Sequence, residues 1–573
     1  MLIKTLLNDL LGLTRPARRA RRPRPGLERL ELRDVPATLA PPVTFVNGHM
    51  AFIANDGPGK VAVFEDGVKI GGDHQQIRGF LFSPDGRHLA IQVTDNNRTA
   101  VIEDGKFVGG YHDMVTDLKF SPVGNHLAFI AIDGPGVAAR AMVIEDGLVV
   151  GVPHVSVYSG LVGPTFSPDG RHLAYATFDA PGADTLVVDG KVVTSRHTFG
   201  GFAFSPDSQH LAVFVNDGAN RMTVLLDPGT PLFTNRTGNH QAIGFFGFSP
   251  DSRHLVTVVE DNGRFGVLQD GVAVGGPAIH VGISALQYSP DGKHLAFVTQ
   301  DPAGFSVLED GQAVGGAHSS VVGLQYSPDS RHLAFVAFDT NGLGSGVVKD
   351  GVVVFRSIGS GPNLVGIAPS DPGKFFRFSP DSQHLAFAAT KSATNQQAVV
   401  MDGAVVGGLH KTVTGAQFSS TSHLAFVTTD TQGTTTQVRV VKDGAVLGGT
   451  YSVVAGNGVA VGNGAPASPN AAPLVFSPDG NHLAWFAADP GFRAVHVVRD
   501  GVNVEGTHPL VPPGAIPGVN ALLGNTLRFS ADGRHLAWFA PVGAATAVVV
   551  DDQVVGGTHQ RISDLLFGPL LTP

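Results

Sequence analysis

From residue 43 onward the chain alternates apolar and polar residues with a period of two, in short runs closed by Gly, Pro, Asp or Asn. Residues 283–316 hold one full cycle. Ile283 to Tyr288 alternates and meets Ser289-Pro290-Asp291-Gly292, a turn with proline in a favoured place. His294 to Thr299 reads as a second strand, Gln300 to Gly304 as a variable polar loop, and Phe305 to Glu309 as a third strand. Asp310-Gly311 signals a two-residue hairpin, because both residues tolerate positive φ. Gln312 to Val314 is a brief fourth strand, ended by Gly315-Gly316.

The cycle recurs. The aromatic that opens the turn stands at 82, 120, 166, 204, 248, 288, 326, 378, 418, 476, 529 and 567, at spacings of 38 to 58 residues. Such self-similarity marks a repeat architecture, and four antiparallel strands in about 40 residues make one propeller blade. Asp-Gly closes the hairpin in ten of twelve units; Asp227-Pro228-Gly229 and Asp551-Asp552-Gln553 are the exceptions. The pattern therefore predicts an all-β chain, a β-propeller of about twelve four-stranded blades. Common propellers have four to eight blades, which favours two six-bladed rings, residues 41–279 and 280–573. One large ring is the alternative, since no linker marks the midpoint. The first unit, Val43 to His49, is shortened, and the last stops after Ile562 to Phe567. Together they supply one blade, so the C-terminal strand is expected to pair within residues 43–72 and remove an exposed sheet edge.

The string Phe-Ser-Pro-Asp-Gly-x-x-Leu-Ala, seen at Phe82 to Ala90, Phe166 to Ala174 and Phe476 to Ala484, resembles the WD-repeat-like blades of TolB-type β-propellers. The likeness spans residues 43–567. True WD repeats end the third strand in Trp-Asp, whereas here the pair reads Glu-Asp, Val-Asp, Gln-Asp or Lys-Asp, which favours the TolB-like branch. The resemblance implies a fold and very little about function.

Composition narrows the classes. Gly (74) and Pro (38) are abundant without a three-residue period, as turn-dense β-structure requires. Cysteine is absent, which excludes disulfides, thiolate metal sites and cysteine nucleophiles and fits an extracytoplasmic bacterial protein. Residues 1–35 carry nine basic and four acidic side chains, so the formal charge of −9 leaves about −14 on the remainder. An acidic body argues against nucleic-acid binding. No apolar run reaches the roughly 18 residues of a transmembrane helix.

Residues 1–40 read as a basic targeting or disordered segment. Within it, Leu27 to Thr38 resembles a short motif, roughly Leu-Glu-x-Leu-Glu-x-Arg-x-x-Pro-Ala, of exported proteins from planctomycete-type bacteria, with Leu32 where an acidic residue is usual. The likeness implies export or surface attachment; a cytoplasmic location is the alternative.

The 23 histidines invite a metal or acid–base reading. Twelve share one slot at the start of the second strand: 49, 88, 126, 172, 210, 254, 294, 332, 384, 423, 482 and 535. Spread over different blades, they cannot converge on one ion; hydrogen bonding to the Ser-Pro-Asp turn or a neighbouring blade is the expectation. Ten more follow the Gly-Gly turn: 74, 112, 154, 197, 240, 280, 318, 410, 508 and 559. They resemble the Gly-His slot of WD repeats, which implies a structural hydrogen-bond network. Gly-x-Ser-x-Gly and His-Glu-x-x-His are missing. Asp95-Asn96-Asn97 and Asn216-Asp217-Gly218 read as turns rather than calcium loops. Trp485 and Trp538 read as core aromatics. No catalytic, cofactor-binding or metal residue is assigned, and no cofactor is expected.

Irregularity is concentrated in insertions, Phe355 to Lys374, Val453 to Pro473 and Thr507 to Asn525, and in the loops between second and third strands. Propeller topology puts both on the face opposite Ser-Pro-Asp-Gly. The expectation is a non-enzymatic scaffold that binds a protein or cell-envelope partner through this variable-loop face. The alternative is a propeller hydrolase or lyase with acid–base histidines at one ring mouth.

Overall fold

The computed structural model describes residues 49–567 apart from 158–162, 179–183, 217–221, 228–233, 236–238, 277–278, 339–344, 357–375, 392–393, 434, 457–458, 463–473, 491–494, 505–526 and 543–544. The expectations for residues 1–40 and for Val43 to Gly48 lie outside it. The described chain is all-β, with a single 3-10 turn at Gly136–Ala138. Twelve four-stranded antiparallel blades are arranged in a ring. Blade seven shows the unit: Gly282–Tyr288, Leu295–Asp301, Gly304–Glu309 and Gln312–His318, paired in chain order.

The fourth strand is longer than its sequence suggests. Gly315 and Gly316, at φ +81° and +89°, form a bulge, and pairing resumes beyond it with Ser306↔Ala317 and Phe305↔His318. Glycine pairs read as strand ends are therefore kinks inside strands, which glycine permits because it has no Cβ.

Three blades depart from the unit. Lys191–Phe204 runs unbroken as the outer strand of blade four and the inner strand of blade five. In blade four, Ser156–Val157 and Thr165–Phe166 share the inner position, both paired with Leu173–Phe178. In blade eleven, Val453–Gly456 and Val475–Phe476 do the same against Leu483–Ala488. Val453–Gly456 also forms a hairpin with Val459–Gly462, so this part of the middle insertion is β-structure rather than the loose loop its Gly-Asn-Gly composition suggested.

The first blade takes its inner strand from the far end of the chain. Arg561–Phe567 pairs antiparallel with Met50–Asn55, from Asn55↔Arg561 to Met50↔Phe567. Burial follows the same path. Each buried cluster joins two consecutive blades: Val256 and Val267 of blade six meet Phe297 and Leu308 of blade seven, and Phe539 and Val548 of blade twelve meet Met50 and Phe52 of blade one. Packing thus crosses residues 279–280 without a seam. Two six-bladed rings would need blade six against blade one, and no described cluster joins them. The pattern is that of the alternative, one large ring.

The bulge glycines explain how neighbours fit. A Cβ on Gly109 would stand 3.0 Å from Cζ of Phe129 in the next blade; on Gly315, 3.1 Å from Phe335; on Gly407, 3.0 Å from Phe426. Gly556 of blade twelve meets Phe52 of blade one in the same way, at 2.7 Å. Each aromatic tip seats over a glycine of the preceding blade and is itself at most 1% exposed. Full burial of one such ring is worth about 1.5–3 kcal/mol. Trp485 and Trp538 are likewise fully buried, as core residues.

Candidate functional site

Antiparallel order puts the Ser-Pro-Asp and Asp-Gly turns at one end of every blade, and the variable loops and Gly-Gly-x-His segments at the other. Each end carries its own circle of histidines.

On the turn face, all twelve histidines of the first slot pair through Nδ1 with the aspartate that opens the same blade's third-to-fourth-strand hairpin, at 2.5–2.8 Å. His88–Asp104 and His294–Asp310 are examples. The partner is neither the Ser-Pro-Asp turn nor a neighbouring blade, which corrects the sequence-based expectation. Asp104 also accepts the Leu89 N–H at 2.9 Å while lying at φ +47°. One residue type serves three needs: a left-handed turn, a backbone acceptor and an imidazole partner. The turn serine meets only the histidine's backbone, accepting the His88 N–H at 3.0 Å.

Adjoining turns contact one another around this face. The backbone N–H groups of Asp169, Asp207, Asp291, Asp329 and Asp381 donate to the hydroxyls of Ser208, Ser252, Ser330, Ser382 and Ser422 in the following blade, at 2.9–3.1 Å. Where glycine takes that position, a side chain would collide: a Cβ on Gly292 would fall 2.7 Å from Asp251, and on Gly533 2.6 Å from Asp479. The turn carboxylates are held below their usual range. At Asp85 burial opposes ionisation, but the Ser83 hydroxyl, the Arg87 N–H and the Asn125 amide outweigh it and bring the value to about 2. The hydrogen bond to its aspartate raises His88, His126 and His294, with burial working against it.

On the loop face, the second histidine set joins blade to blade. His74 of blade one reaches Asp95 of blade two at 2.6 Å, and the adjacent Gln75 N–H donates to the same carboxylate at 2.9 Å. The pairs His112–Asp133, His240–Asp261, His280–Asp301 and His410–Asp430 repeat this at 2.7–2.9 Å. His559–Asp56, at 3.0 Å, makes the same join between blade twelve and blade one. Side chains of His197 and His508 lie outside the described residues. Tyr451 takes the histidine slot in blade ten, and His496 reaches the spare Asp489 at 3.1 Å. These aspartates escaped the sequence reading, although the signal exists: each stands six residues after the residue that follows a first-slot histidine, at 56, 95, 133, 261, 301 and 430. The Asp95 carboxylate, in a segment the sequence reads as a turn, accepts from His74, Gln75 and Tyr111.

The two circles do not meet, and among the described residues no group of three or more His, Asp and Glu side chains could hold a metal ion. A polar cleft of about 710 Å³ lies on the turn face between blades seven and eight. Its lining is net acidic, with Asp291, Glu309, Asp310 and Asp329 against Lys293 and Arg331; Lys293 pairs with Asp291 at 3.1 Å, Arg331 with Asp329 at 4.0 Å and His294 with Asp310 at 2.7 Å, and Glu309 accepts the Tyr326 hydroxyl at 2.9 Å. Among the described residues no helix is long and apolar enough to cross a membrane.

No protein-family model and no curated protein matches the chain. Among solved structures it is similar to a putative TolB from Agrobacterium tumefaciens, at 17% identity and a TM-score of 0.20 over 37% of this chain and 85% of that one. It is also similar to TolB from Acinetobacter baumannii, at 16% and 0.22 over 49% and 78%. A third similar structure comes from a study of two prolyl endopeptidases, at 17% and 0.26 over 52% and 54%. Two of the three are TolB proteins, the group whose blades the repeated motif resembles. At these scores no activity or partner passes from them to this chain; the propeller is read from its own blades.

Proposed function

We propose that this propeller is an exported, non-enzymatic scaffold that binds a protein or cell-envelope partner through its variable-loop face. The observation that carries the reading is the employment of the histidines. Every first-slot histidine is tied to its own hairpin aspartate, and six of the second slot are tied to the next blade. Side chains spent on joining strands and blades are poorly placed for turnover. The turn face repeats itself blade after blade. By sequence, the insertions at 355–374, 453–473 and 507–525 lengthen the connection from a fourth strand to the next blade, which propeller topology would give to the loop face. A rigid frame with diverse loops on one face is the usual construction of a binding surface.

Affinity capture from bacterial envelope extracts tests this with three baits: the full chain, a chain with the sequence insertions shortened, and a turn-face variant with Lys293→Glu and Arg331→Glu. The reading expects a partner retained by the turn-face variant and lost by the shortened chain. Loss from the turn-face variant alone would move binding to the cleft between blades seven and eight.

A further inference from the structure

One groove on the rim of the ring differs from its repeats. It runs between the outer strands of blades one and two, Val68–His74 and Lys106–His112. Ile70 packs into the buried cluster these blades share, and Val68, two residues earlier, lies on the same side of its strand. Phe107 and Tyr111 stand opposite Ile102 and Ala100, both members of that cluster. The groove therefore has an aliphatic wall from blade one and an aromatic wall from blade two. The strands are close: a Cβ on Gly105 would stand 3.9 Å from the Gly71 amide nitrogen. Phe107 and Tyr111 lie ring to ring at 5.2 Å, yet they are 53% and 37% exposed, and Val68 is 56% exposed. Among the described residues no other Phe, Tyr or Trp is so exposed. The same two positions hold Val149 and Pro153 in blade three and Ala313 and Ala317 in blade seven, so the aromatic wall is no part of the repeat.

Charge and the course of the chain indicate what covers it. The hairpins beside the groove, Glu65-Asp66 and Glu103-Asp104, each carry two carboxylates, and Glu145-Asp146 continues the series in blade three. Elsewhere only blade seven has glutamate before the hairpin aspartate. Residues 1–48 precede the described chain, which enters the ring at His49 on the turn face of blade one. In that segment Leu2, Ile3, Leu6, Leu7, Leu10 and Leu11 recur at helical spacing, with Lys4, Asn8 and Asp9 on the opposite side of the pattern. Arg15 to Arg24 then holds six arginines and no acidic residue.

We propose that Met1–Leu13 docks in this groove of its own chain, its leucines against Val68, Phe107 and Tyr111, while the arginines of residues 15–24 lie against the Glu65-Asp66 and Glu103-Asp104 hairpins. The dimensions agree. Seven strand residues, Val68–His74, span about 23 Å, and ten residues at helical rise, Leu2 to Leu11, span about 15 Å. Thr14 to Gly48 provides 35 residues, about 30 Å end to end as a flexible chain, against about 15 Å for the width of a four-stranded blade. The apolar contact places the segment, and the arginines hold it to the acidic end of the groove. The rim is thereby masked by the chain itself and opens when the arm is withdrawn.

The test uses the full chain, which has no cysteine of its own. Two double variants, Leu7→Cys with Val68→Cys and Leu7→Cys with Val352→Cys, compare the groove with the outer strand of blade eight, where Val352 is 64% exposed. Under mild oxidation of dilute protein, the first pair should form an intramolecular disulfide at least about tenfold faster than the second. Raising salt from about 0.1 to 1 M should slow it. Equal rates for the two pairs, no disulfide in either, or a disulfide-linked dimer, which would give the groove to a second copy, would each overturn the proposal. A rate indifferent to salt would overturn the role of the arginines. Binding of the apolar dye ANS guards against a cysteine variant that fails to fold. Changing Leu6, Leu7 and Leu10 together to glutamate should raise dye binding several-fold, and adding Phe107→Ala should remove most of the increase. No increase on the triple change would contradict the docking.

Discussion

Replacing Asp104 by alanine should cost far more than its exposed position suggests. The carboxylate accepts His88 Nδ1 at 2.7 Å and the Leu89 N–H at 2.9 Å, from a backbone at φ +47°. Leu89 is fully buried, so its N–H would lose its partner at a cost of about 1–3 kcal/mol. Alanine in the left-handed region adds about 1–2 kcal/mol. The imidazole pair, with side chains 37% and 45% exposed, contributes about 0–1 kcal/mol. Asp104→Ala should therefore destabilise blade two by roughly 2–6 kcal/mol. Asparagine tolerates the same φ and keeps an oxygen for Leu89, so Asp104→Asn should cost about 1 kcal/mol or less. Urea unfolding followed by far-UV circular dichroism, with hydrogen exchange at Leu89–Asp95 to localise the effect, measures both. Equal losses for the two variants, or an alanine cost below about 1 kcal/mol, would refute the threefold role given to the hairpin aspartate.

Other outcomes follow from the same geometry. The turn aspartates, with Asp85 brought to about 2, stabilise the fold above the unfolded value near 3.8, and that contribution is lost as pH falls through their lowered values. The raised His88, His126 and His294 act in the opposite sense, stabilising below about pH 6.5 and losing the contribution as pH rises. Thermal melts should thus be highest between about pH 4 and 6.5; a maximum above about pH 8 would contradict the histidine assignment, and one below about pH 3 the aspartate assignment. Phe52→Ala and Phe297→Ala, at joints twelve–one and six–seven, should each cost about 3–5 kcal/mol in urea unfolding; a negligible effect at Phe52 alone would mean that the ring does not close there. Ser330→Ala should cost about 1 kcal/mol or less in urea unfolding, because the Asp291 N–H that loses its partner is exposed and water takes its place.

The fold was legible because the period-two pattern and its punctuation recur. Ser-Pro-Asp-Gly and Asp-Gly are local instructions, satisfied within a few residues, and each gives the same turn wherever it occurs. What sequence concealed was the pairing of distant parts. Asp104 bonds His88 across a strand pair, and Asp56 bonds His559 across 503 positions, contacts that no local pattern specifies. Gly315-Gly316 looked like a stop because glycine pairs usually end strands; the ring of Phe335, absent from any local window, makes it a bulge. The ring count was not legible, because blades repeat alike whatever ring they close; packing runs from blade six into blade seven across residues 256–308. The candidate binding face was visible only as disagreement among repeats, which gives a place and no ligand.

The single ring is tested most directly by a crosslink, and a cysteine-free chain makes it clean. Asn55 and Arg561 are exposed and directly opposed in the strand pair that links the two ends of the described chain. In the double variant Asn55→Cys, Arg561→Cys, mild oxidation should close an intramolecular disulfide in nearly every molecule, seen as loss of free thiol and a faster band in non-reducing gels. Each single variant should keep its thiol. Persistent free thiols in the oxidised double variant, with the chain folded by circular dichroism, would show that Arg561–Phe567 does not lie against Met50–Asn55 and would contradict the ring.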